Sequence, residues 1–290
     1  MRRYTSFIFL TVFLLVSCSS IQATPTTTST PGIGSTVISE KDGATLMYVP
    51  AGEFIMGSKA EDALPLCKKF GTSCPLDYLR NEEPPHTVYL DAFWIDQTEV
   101  TNAQYAKCVQ ARKCEPPTST KSYMRDSYFG DSQFDKFPVV FISWEAAKTY
   151  CDWAGRRLST EAEWEKVARG EDAREFPWGN DFPNNDLLNF RDFIRDTTLV
   201  GTYPNGASPY GALDMLGNVW EWVADWYGAT YYADSPDSNP LGPDSGTERV
   251  LRGSGFGSRI YTIRTASRSS GPPTDTYAWI GFRCAMSATP

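Results

Sequence analysis

Seven cysteines and one histidine are the side chains in this sequence that could bind a redox metal or act as nucleophiles. Thiolates select soft ions such as Cu(I), whereas imidazole suits Zn, Cu and Fe. The single histidine, His86, supplies too few imidazole ligands for an iron centre, and we interpret it as structural. A Ser-His-Asp hydrolase would use a histidine too, but no nucleophile elbow of the G-x-S-x-G type accompanies it. Redox chemistry therefore depends on whether any thiol is free.

The cysteines form an even set once Cys18, which directly follows an apolar run, is set aside. The remaining six can pair completely, as expected for an exported protein in an oxidising compartment. Close spacing favours two local loops, and the last two cysteines are then left for each other. Complete pairing leaves no thiol for chemistry. The expected pairs are Cys67–Cys74, Cys108–Cys114 and Cys151–Cys284.

Residues 211–226 are the most informative stretch, because three tryptophans there crowd against three acids. Large aromatic side chains bury roughly 150–250 Å² each, so this stretch is expected to form part of the core. Asp214, Glu221 and Asp225 would then need an ion pair, hydrogen bonds or a metal, since an isolated buried charge is expensive. The alternative is a packed turn around Gly217-Asn218 whose acids face water.

The N-terminus resembles a bacterial lipoprotein signal. Two arginines precede an apolar run, residues 7–16, that is too short to span a bilayer comfortably. The run ends in Leu-Val-Ser-Cys18, which is similar to a lipobox, in which the cysteine is lipidated and becomes the mature N-terminus. A simple cleaved signal with a coincidental cysteine is the alternative. We expect residues 1–18 to be the signal and the lipid on Cys18 to anchor the exported protein to the cell envelope, with its domain extracytoplasmic.

The composition divides the rest of the chain into a tether and one domain. Residues 19–43 are rich in Ser, Thr and Pro, and we expect them to form a disordered tether. Residues 44–290 are long enough for one large domain with a proper core. The net charge of −8 argues against nucleic acid as a partner.

Helix and strand signals in this domain are short and irregularly spaced, which predicts a loop-rich α+β fold. Ser143 caps a predicted helix over residues 144–154, and Thr160 opens another with capping-box spacing that runs to Gly170. These are the two best-defined helices. Thr101 caps a further helix. Short strands are expected within residues 45–54, 87–90 and 93–95, residues 61–80 are interpreted as a polar insertion, and the chain beyond 171 as mostly turns.

Five ordered blocks resemble the formylglycine-generating enzyme, or sulfatase-modifying factor, family. The most distinctive is Asp-Met-Leu-Gly-Asn-Val-Trp-Glu-Trp at residues 214–222. The resemblance implies a single domain with a fold similar to C-type lectins, and the pair Cys151–Cys284 matches a structural disulfide of the family. The other matching blocks are residues 47–58, 93–102, 156–165 and 281–283.

The oxidases of this family carry two cysteines shortly after an Arg-Gly-Gly-Ser segment, and these thiolates bind Cu(I). The matching segment here, residues 252–269, contains no cysteine. Relatives that use non-haem iron need a histidine cluster, which a chain with one histidine cannot supply. We therefore expect neither copper nor iron as a cofactor. The resemblance implies calcium instead, because carboxylate and carbonyl oxygens suit Ca²⁺.

By resemblance, the calcium ion is bound by the side chains of Asp214 and Glu221 and the backbone carbonyls of Gly217 and Val219. A second calcium site is expected around Asn189 and Asp192, although the loop there is shortened. Both ions are expected to be structural.

Some relatives diversify the C-terminal segment to bind varied ligands. Arginine and aromatic residues are enriched at binding hot spots, which makes Arg259, Tyr261, Tyr277 and Trp279 the candidate ligand-binding residues. The alternative is that the aromatics fill the core and that arginines of this segment pair with acids inside the fold. The favoured function is binding of a protein or glycan ligand. The rival is an oxidoreductase of the same family, acting on a protein or small-molecule substrate. The arginines expected to pair internally are Arg252, Arg264 and Arg268.

Overall fold

The computed structural model describes residues 30–191 and 193–288, together with Met1. Contacts within the chain group Pro31–Pro290 into one compact unit. The expected signal segment and Cys18 lie outside the described residues, so the lipid anchor remains a prediction. The described part of the chain contains no helix that is both long and apolar enough to cross a bilayer. The helices are α1 (Leu64–Lys69), α2 (Leu76–Leu79), α3 (Asn102–Gln110), α4 (Trp144–Trp153) and α5 (Glu161–Arg169).

Eleven strands in the described residues form three small sheets. The five-stranded sheet has the order β1-β2-β5-β11-β6 and is antiparallel throughout. The four-stranded sheet has the order β10-β7-β8-β9, with β10 and β7 parallel. Strands β3 and β4 pair alone. The strands are β1 (Thr36–Ile38), β2 (Thr45–Val49), β3 (Gly52–Met56), β4 (His86–Leu90), β5 (Phe93–Asp96), β6 (Arg157–Leu158), β7 (Trp220–Trp226), β8 (Arg249–Arg252), β9 (Ser269–Gly271), β10 (Ile280–Phe282) and β11 (Cys284–Ser287).

The three longest helices begin where their capping residues predict. The Thr160 hydroxyl accepts a hydrogen bond from the Glu163 amide at 3.1 Å, and the Glu163 carboxylate accepts one from the Thr160 amide at 2.8 Å. Thr101 forms the same kind of capping box at α3, and Ser143 caps α4. Because each cap satisfies amides that lack a helical partner, it fixes the first turn. The predicted helices are confirmed.

All three expected disulfides are present, with Cα–Cα separations of 5.8, 5.3 and 5.6 Å. The bond between Cys151 and Cys284 joins residues 133 apart in the chain, connecting α4 to β11. A loop of that length constrains the unfolded chain by roughly 4–5 kcal/mol in the chain-entropy estimate. Within the described residues, no cysteine is left with a free thiol.

The ordered domain begins earlier than predicted. Strand β1 lies inside the stretch that was expected to be a disordered tether, and it pairs with β2. Asp42, also in that stretch, is buried and accepts a hydrogen bond from the Tyr150 hydroxyl at 2.6 Å. It also forms an ion pair with Arg156. Burial of this paired carboxylate is the physical reason why the stretch around Asp42 is ordered. The content of Ser, Thr and Pro, on which the prediction of disorder rested, carries no information about this contact. The domain therefore begins near residue 35, and not at residue 44 as predicted.

One further expectation about local structure is corrected, and a second needs an addition. The stretch 61–80 is not simply a polar insertion, because Leu66, Cys67 and Leu79 are buried and the helices α1 and α2 form around them. The chain beyond residue 171 is mostly turns, as expected, but it also contains five short strands. These strands are short and paired with distant partners, so their local sequence carries little periodic signal.

Strand β7 lies at the centre of the core, with both faces covered. Val223 packs in one large apolar cluster with Trp164, while its neighbour Trp222 packs in a second cluster with Tyr150 and Phe282. Successive residues of a strand point to opposite faces, so one strand serves both clusters. This placement decides between the two interpretations of residues 211–226: Asp214, Glu221 and Asp225 are buried, not facing water.

Candidate functional site

The Glu221 carboxylate on β7 is held by two buried donors. Arg283, which follows β10, donates from Nε and Nη2 to Oε2 and Oε1 at 2.7 Å each. Trp164 of α5 donates its indole N–H to Oε2 at 2.8 Å. Burial alone would lower the pKa of Arg283, but the adjacent Glu221 anion outweighs it and raises that pKa. Oε2 of Glu221 thus accepts two hydrogen bonds and Oε1 accepts one, which leaves one lone pair of Oε1 unused.

Two more carboxylates lie near this pair without a cation of their own. Asp214 adopts a left-handed backbone, φ 55°, and its Oδ2 accepts from the Gly201 amide at 2.6 Å. Glu99 accepts from the Asn218 side-chain amide at 3.0 Å through Oε1, while its Oε2 is buried without a hydrogen-bond partner. Burial raises the pKa of Asp214 to about 6. Burial, followed by repulsion from Asp214 and Glu221, raises the pKa of Glu99 well above its usual range.

These observations fit a cation. Three buried acids face one arginine, and an unpartnered carboxylate oxygen in such a place requires a proton or a positive ion. No three Asp, Glu, His or Cys side chains among the described residues converge closely enough to hold a metal by themselves. The predicted calcium site, however, combines two carboxylates with two backbone carbonyls, so the donor set of Asp214, Glu221, Gly217 and Val219 remains compatible with Ca²⁺.

The backbone at Gly217 and Asn189 brings the two predicted calcium sites next to each other. Gly217 has φ 84°, and a Cβ there would lie 2.4 Å from the Asn189 carbonyl oxygen, so only glycine fits. Asn189 is buried, and its side-chain Nδ2 donates to the Asp196 carbonyl at 2.8 Å. The side-chain Oδ1 has no hydrogen-bond partner. That free oxygen fits the predicted role of Asn189. Asp192 lies outside the described residues.

The segment 252–269, which matches the copper-binding segment of the oxidases, is a core element here. Arg252 and Arg268 both form ion pairs with Glu161, and Arg264 pairs with Glu82 at 2.6 Å. All three arginines are essentially inaccessible to solvent. The expectation that they pair with acids inside the fold is confirmed. These arginines are therefore not part of a ligand-binding surface.

The candidate ligand-binding residues fall into two pairs with different neighbours. Tyr277 and Trp279 are 42% and 39% exposed, and their rings stack with centroids 4.8 Å apart and planes 3° from parallel. Arg259 is exposed and donates to the Tyr261 hydroxyl at 3.2 Å. Tyr261 itself packs against the small apolar cluster around Ala60, Ala63 and Leu79, near the Cys67–Cys74 bond. Tyr277 and Trp279 thus form an aromatic surface, while Tyr261 contributes to packing.

A loop that the sequence analysis did not single out extends this aromatic surface. The Tyr123 ring meets the Trp279 ring edge-on, with centroids 6.4 Å apart and planes at 66°. Tyr123 and the adjacent Met124 are 53% and 60% exposed. The available signal was that Tyr123 and Met124 stand together between two polar pairs, Lys121-Ser122 and Arg125-Asp126. Glu99 was missed as well, although it lies within the matching block 93–102.

The chain is similar to known proteins over most of its length. Residues 35–288 match the family described as "Sulfatase-modifying factor enzyme 1-like domain". A formylglycine-generating enzyme of Streptomyces coelicolor is 35% identical over 83% of this chain and 88% of that protein. A hercynine oxygenase of Mycolicibacterium smegmatis is 32% identical over 83% of this chain and 61% of that protein. The structure of PvdO from Pseudomonas aeruginosa superposes with a TM-score of 0.72 at 25% identity, covering 89% of this chain and 100% of that one.

Proposed function

Because this chain belongs to the sulfatase-modifying factor enzyme 1-like family, we propose that it uses the family fold as a non-catalytic scaffold that binds a protein or glycan ligand. The observation that carries the proposal is the state of its cysteines. All six in the described residues are in disulfides, and the segment 252–269 has none. Soft thiolate ligands for Cu(I) are therefore missing from the segment where the oxidases of this family carry them.

The exposed aromatic pair supports ligand binding. Tyr277 and Trp279 follow a surface loop and immediately precede β10, so a buried strand fixes where both side chains are displayed. Aromatic side chains bring large contact area at low conformational cost, which is why they are enriched at binding surfaces. The test is an array of glycans and proteins probed with the soluble domain. Binding that Trp279→Ala weakens supports the proposal, and no binding in either format contradicts it.

The rival function is an oxidoreductase, favoured by the 35% identity to a formylglycine-generating enzyme and the 32% identity to a hercynine oxygenase. Identity of this order supports a shared fold more strongly than a shared activity, since function depends on the residues of the site. A Cu(I) titration of the purified domain separates the two functions. Stoichiometric Cu(I) binding would support the oxidoreductase function. The scaffold proposal expects no Cu(I) binding.

The role proposed for calcium is structural. The ion would be held by the side chains of Asp214 and Glu221 and the carbonyls of Gly217 and Val219. When bound, it would compensate the buried negative charge that Arg283 alone does not balance. Hydrogen bonds hold the neighbouring acids in position. The Asn218 side-chain amide donates to Glu99, and the Gly201 backbone amide donates to Asp214.

We also propose that Cys18 carries a lipid that anchors the protein to the bacterial cell envelope, with the domain outside the cytoplasm. The support is the apolar run that ends in Leu-Val-Ser-Cys18. Replacing Cys18 with Ala should leave an unprocessed or released protein. Unchanged partition into the detergent phase after that replacement would rule out the anchor.

A further inference from the structure

We propose that a cleft beside the end of α1 binds a sugar residue of a glycan. The proposal goes beyond the binding function above, because it adds a site made of residues other than Tyr277 and Trp279 and names its ligand class. The cleft has a volume of about 400 Å³, within the range of roughly 300–1,000 Å³ that is usual for small-molecule sites. Its side chains come from the residue after α1 and from residues 183–193. They include Phe70, Asn184, Asn185, Phe190, Arg191 and Phe193.

Aromatic rings form the apolar side of the cleft. Phe190 is buried and meets Phe70 edge-on, with ring centroids 6.4 Å apart and planes at 90°. The guanidinium of Arg191 lies 5.0 Å from the centre of the Phe70 ring and so occupies that ring. Phe193 is 61% exposed, and no other ring or cation among the described residues stacks on it. Its open face suits the C–H groups of a pyranose, because these carry partial positive charge and the ring face is negative.

Planar polar side chains line the same cleft. The Asn184 Oδ1 accepts a hydrogen bond from the Asp186 amide at 2.9 Å, which orients the carboxamide and leaves its Nδ2 without a partner in the described part of the chain. Asn185 and Arg191 make no side-chain hydrogen bond within that part either. Carboxamide and guanidinium groups donate two or more hydrogen bonds in a fixed plane, which matches the neighbouring hydroxyls of a sugar. The cleft thus joins an apolar platform to polar groups, as a pyranose requires.

The charges next to these residues do not favour a charged peptide. Arg191 and the exposed Lys68 and Lys69 at the end of α1 are positive, whereas the exposed Asp181 and Asp186 beside the two asparagines are negative. None of these five residues forms a salt bridge with another described residue. A patch of one sign steers an oppositely charged partner, so mixed signs give an acidic or a basic peptide no advantage. Uncharged hydroxyls suit the cleft better.

A tight turn holds the exposed side chains of the cleft in place. The Phe190 carbonyl accepts a hydrogen bond from the Phe193 amide at 3.2 Å, and Arg191 has a left-handed backbone with φ 52°. The preceding Asn189 ties this turn to the core, because its carbonyl accepts a hydrogen bond from the Asn218 amide at 3.0 Å. A site that is ordered beforehand loses less conformational entropy when its ligand binds.

Saturation-transfer NMR on the full-length protein, with calcium present, tests this site. The probes are the methyl glycosides of glucose, galactose, mannose and N-acetylglucosamine. We expect at least one of them to bind, and its Kd to rise by about tenfold in Phe193→Ala and in Asn185→Ala, which remove the platform and one carboxamide. Phe182→Ala is the matched control and should leave the Kd unchanged. Phe182 is 37% exposed in the same loop, but it does not line the cleft, and Lys69 lies over its ring at 5.8 Å.

Three outcomes would overturn the inference. If none of the glycosides binds, there is no sugar site, although array binding that Trp279→Ala weakens would still support the proposed function. Sugar binding that both cleft variants leave unchanged would locate the sugar elsewhere. An equal loss in Phe182→Ala would show a disturbed loop and contradict a specific contact with Phe193. Asn185→Ala keeps the test valid if Phe193→Ala unfolds, because the Asn185 side chain is exposed.

Discussion

Arg283 binds both carboxylate oxygens of Glu221 at 2.7 Å, joining the end of β10 to the centre of β7. This ion pair uses the only arginine that faces the acids of the candidate calcium site in the described residues. Removing one partner of a buried ion pair leaves the other charge buried without compensation. The loss of stability is then larger than the stability that the intact pair contributes. The neighbouring acids, Glu99 and Asp214, are left to be balanced by a proton or by calcium.

Removing calcium should therefore lower the stability of the domain. An ion present at about a hundredfold excess over its Kd contributes roughly 2.7 kcal/mol to the free energy of unfolding. For a domain of this size that corresponds to a fall in Tm of about 5–10 °C on adding EGTA. The Glu221→Gln variant should lose most of this sensitivity. A melting curve indifferent to EGTA would contradict both calcium sites.

The calcium effect should also depend on pH. Because burial raises the pKa of Asp214 to about 6, protons compete with the ion below that pH. The shift in Tm between calcium and EGTA should thus be full well above pH 6 and shrink as the pH falls through it. Melting curves across this pH range provide the measurement. A shift that grows towards acid pH would exclude Asp214 as a ligand.

Asp225 gives the apo domain a pH dependence of its own. It is buried, makes no salt bridge within the described residues, and accepts the Glu161 amide at 2.8 Å. Burial, reinforced by repulsion from Glu161, raises its pKa from 3.8 to about 8. A raised pKa means that the folded state binds the proton more tightly, so the contribution of Asp225 to stability is full below pH 3.8 and is lost as the pH rises to about 8.

The Asp225→Asn variant tests this, because an amide keeps the acceptor oxygen without the charge. We expect its free energy of unfolding, relative to the unmodified chain, to increase with pH by a few kcal/mol over that range. Urea denaturation at several pH values measures the difference. A constant difference would show that Asp225 does not titrate there.

Trp279→Ala should reduce ligand binding while leaving the fold intact, because a surface aromatic contributes more to contact than to core packing. Tyr261→Ala was expected from sequence to act in the same way, more weakly. The structure changes that expectation, since Tyr261 is half-buried against Ala63 and Leu79. We now expect Tyr261→Ala chiefly to lower the Tm. Thermal melting and binding measurements on both variants separate the roles, and unfolding of Trp279→Ala would assign that ring to the core.

Local signals in the sequence were sufficient for the longest helices and the disulfides. Thr101, Ser143 and Thr160 cap helices through neighbours only a few residues away, so their effect is visible in a short window. The close spacing of Cys67 and Cys74 likewise restricts their pairing. Cys151 and Cys284 were then left for each other, and this pair also matches a structural disulfide of the family.

Long-range contacts explain what the sequence did not predict. Asp42 is ordered because Arg156 and Tyr150, more than a hundred residues away, bind its carboxylate. Tyr123 joins the aromatic surface because Asp196 holds its loop beside Trp279. Neither relationship leaves a periodic pattern in the chain, and each depends on the completed fold.

Incubation of the purified protein with a cysteine-containing sulfatase peptide, followed by mass spectrometry of the peptide, tests the non-catalytic scaffold most directly. The Streptomyces coelicolor relative serves as the positive control. We predict that the cysteine stays unconverted with or without added copper, under reducing and oxidising conditions, because the segment 252–269 offers no thiol. Formylglycine in the peptide after incubation with this protein would contradict the account.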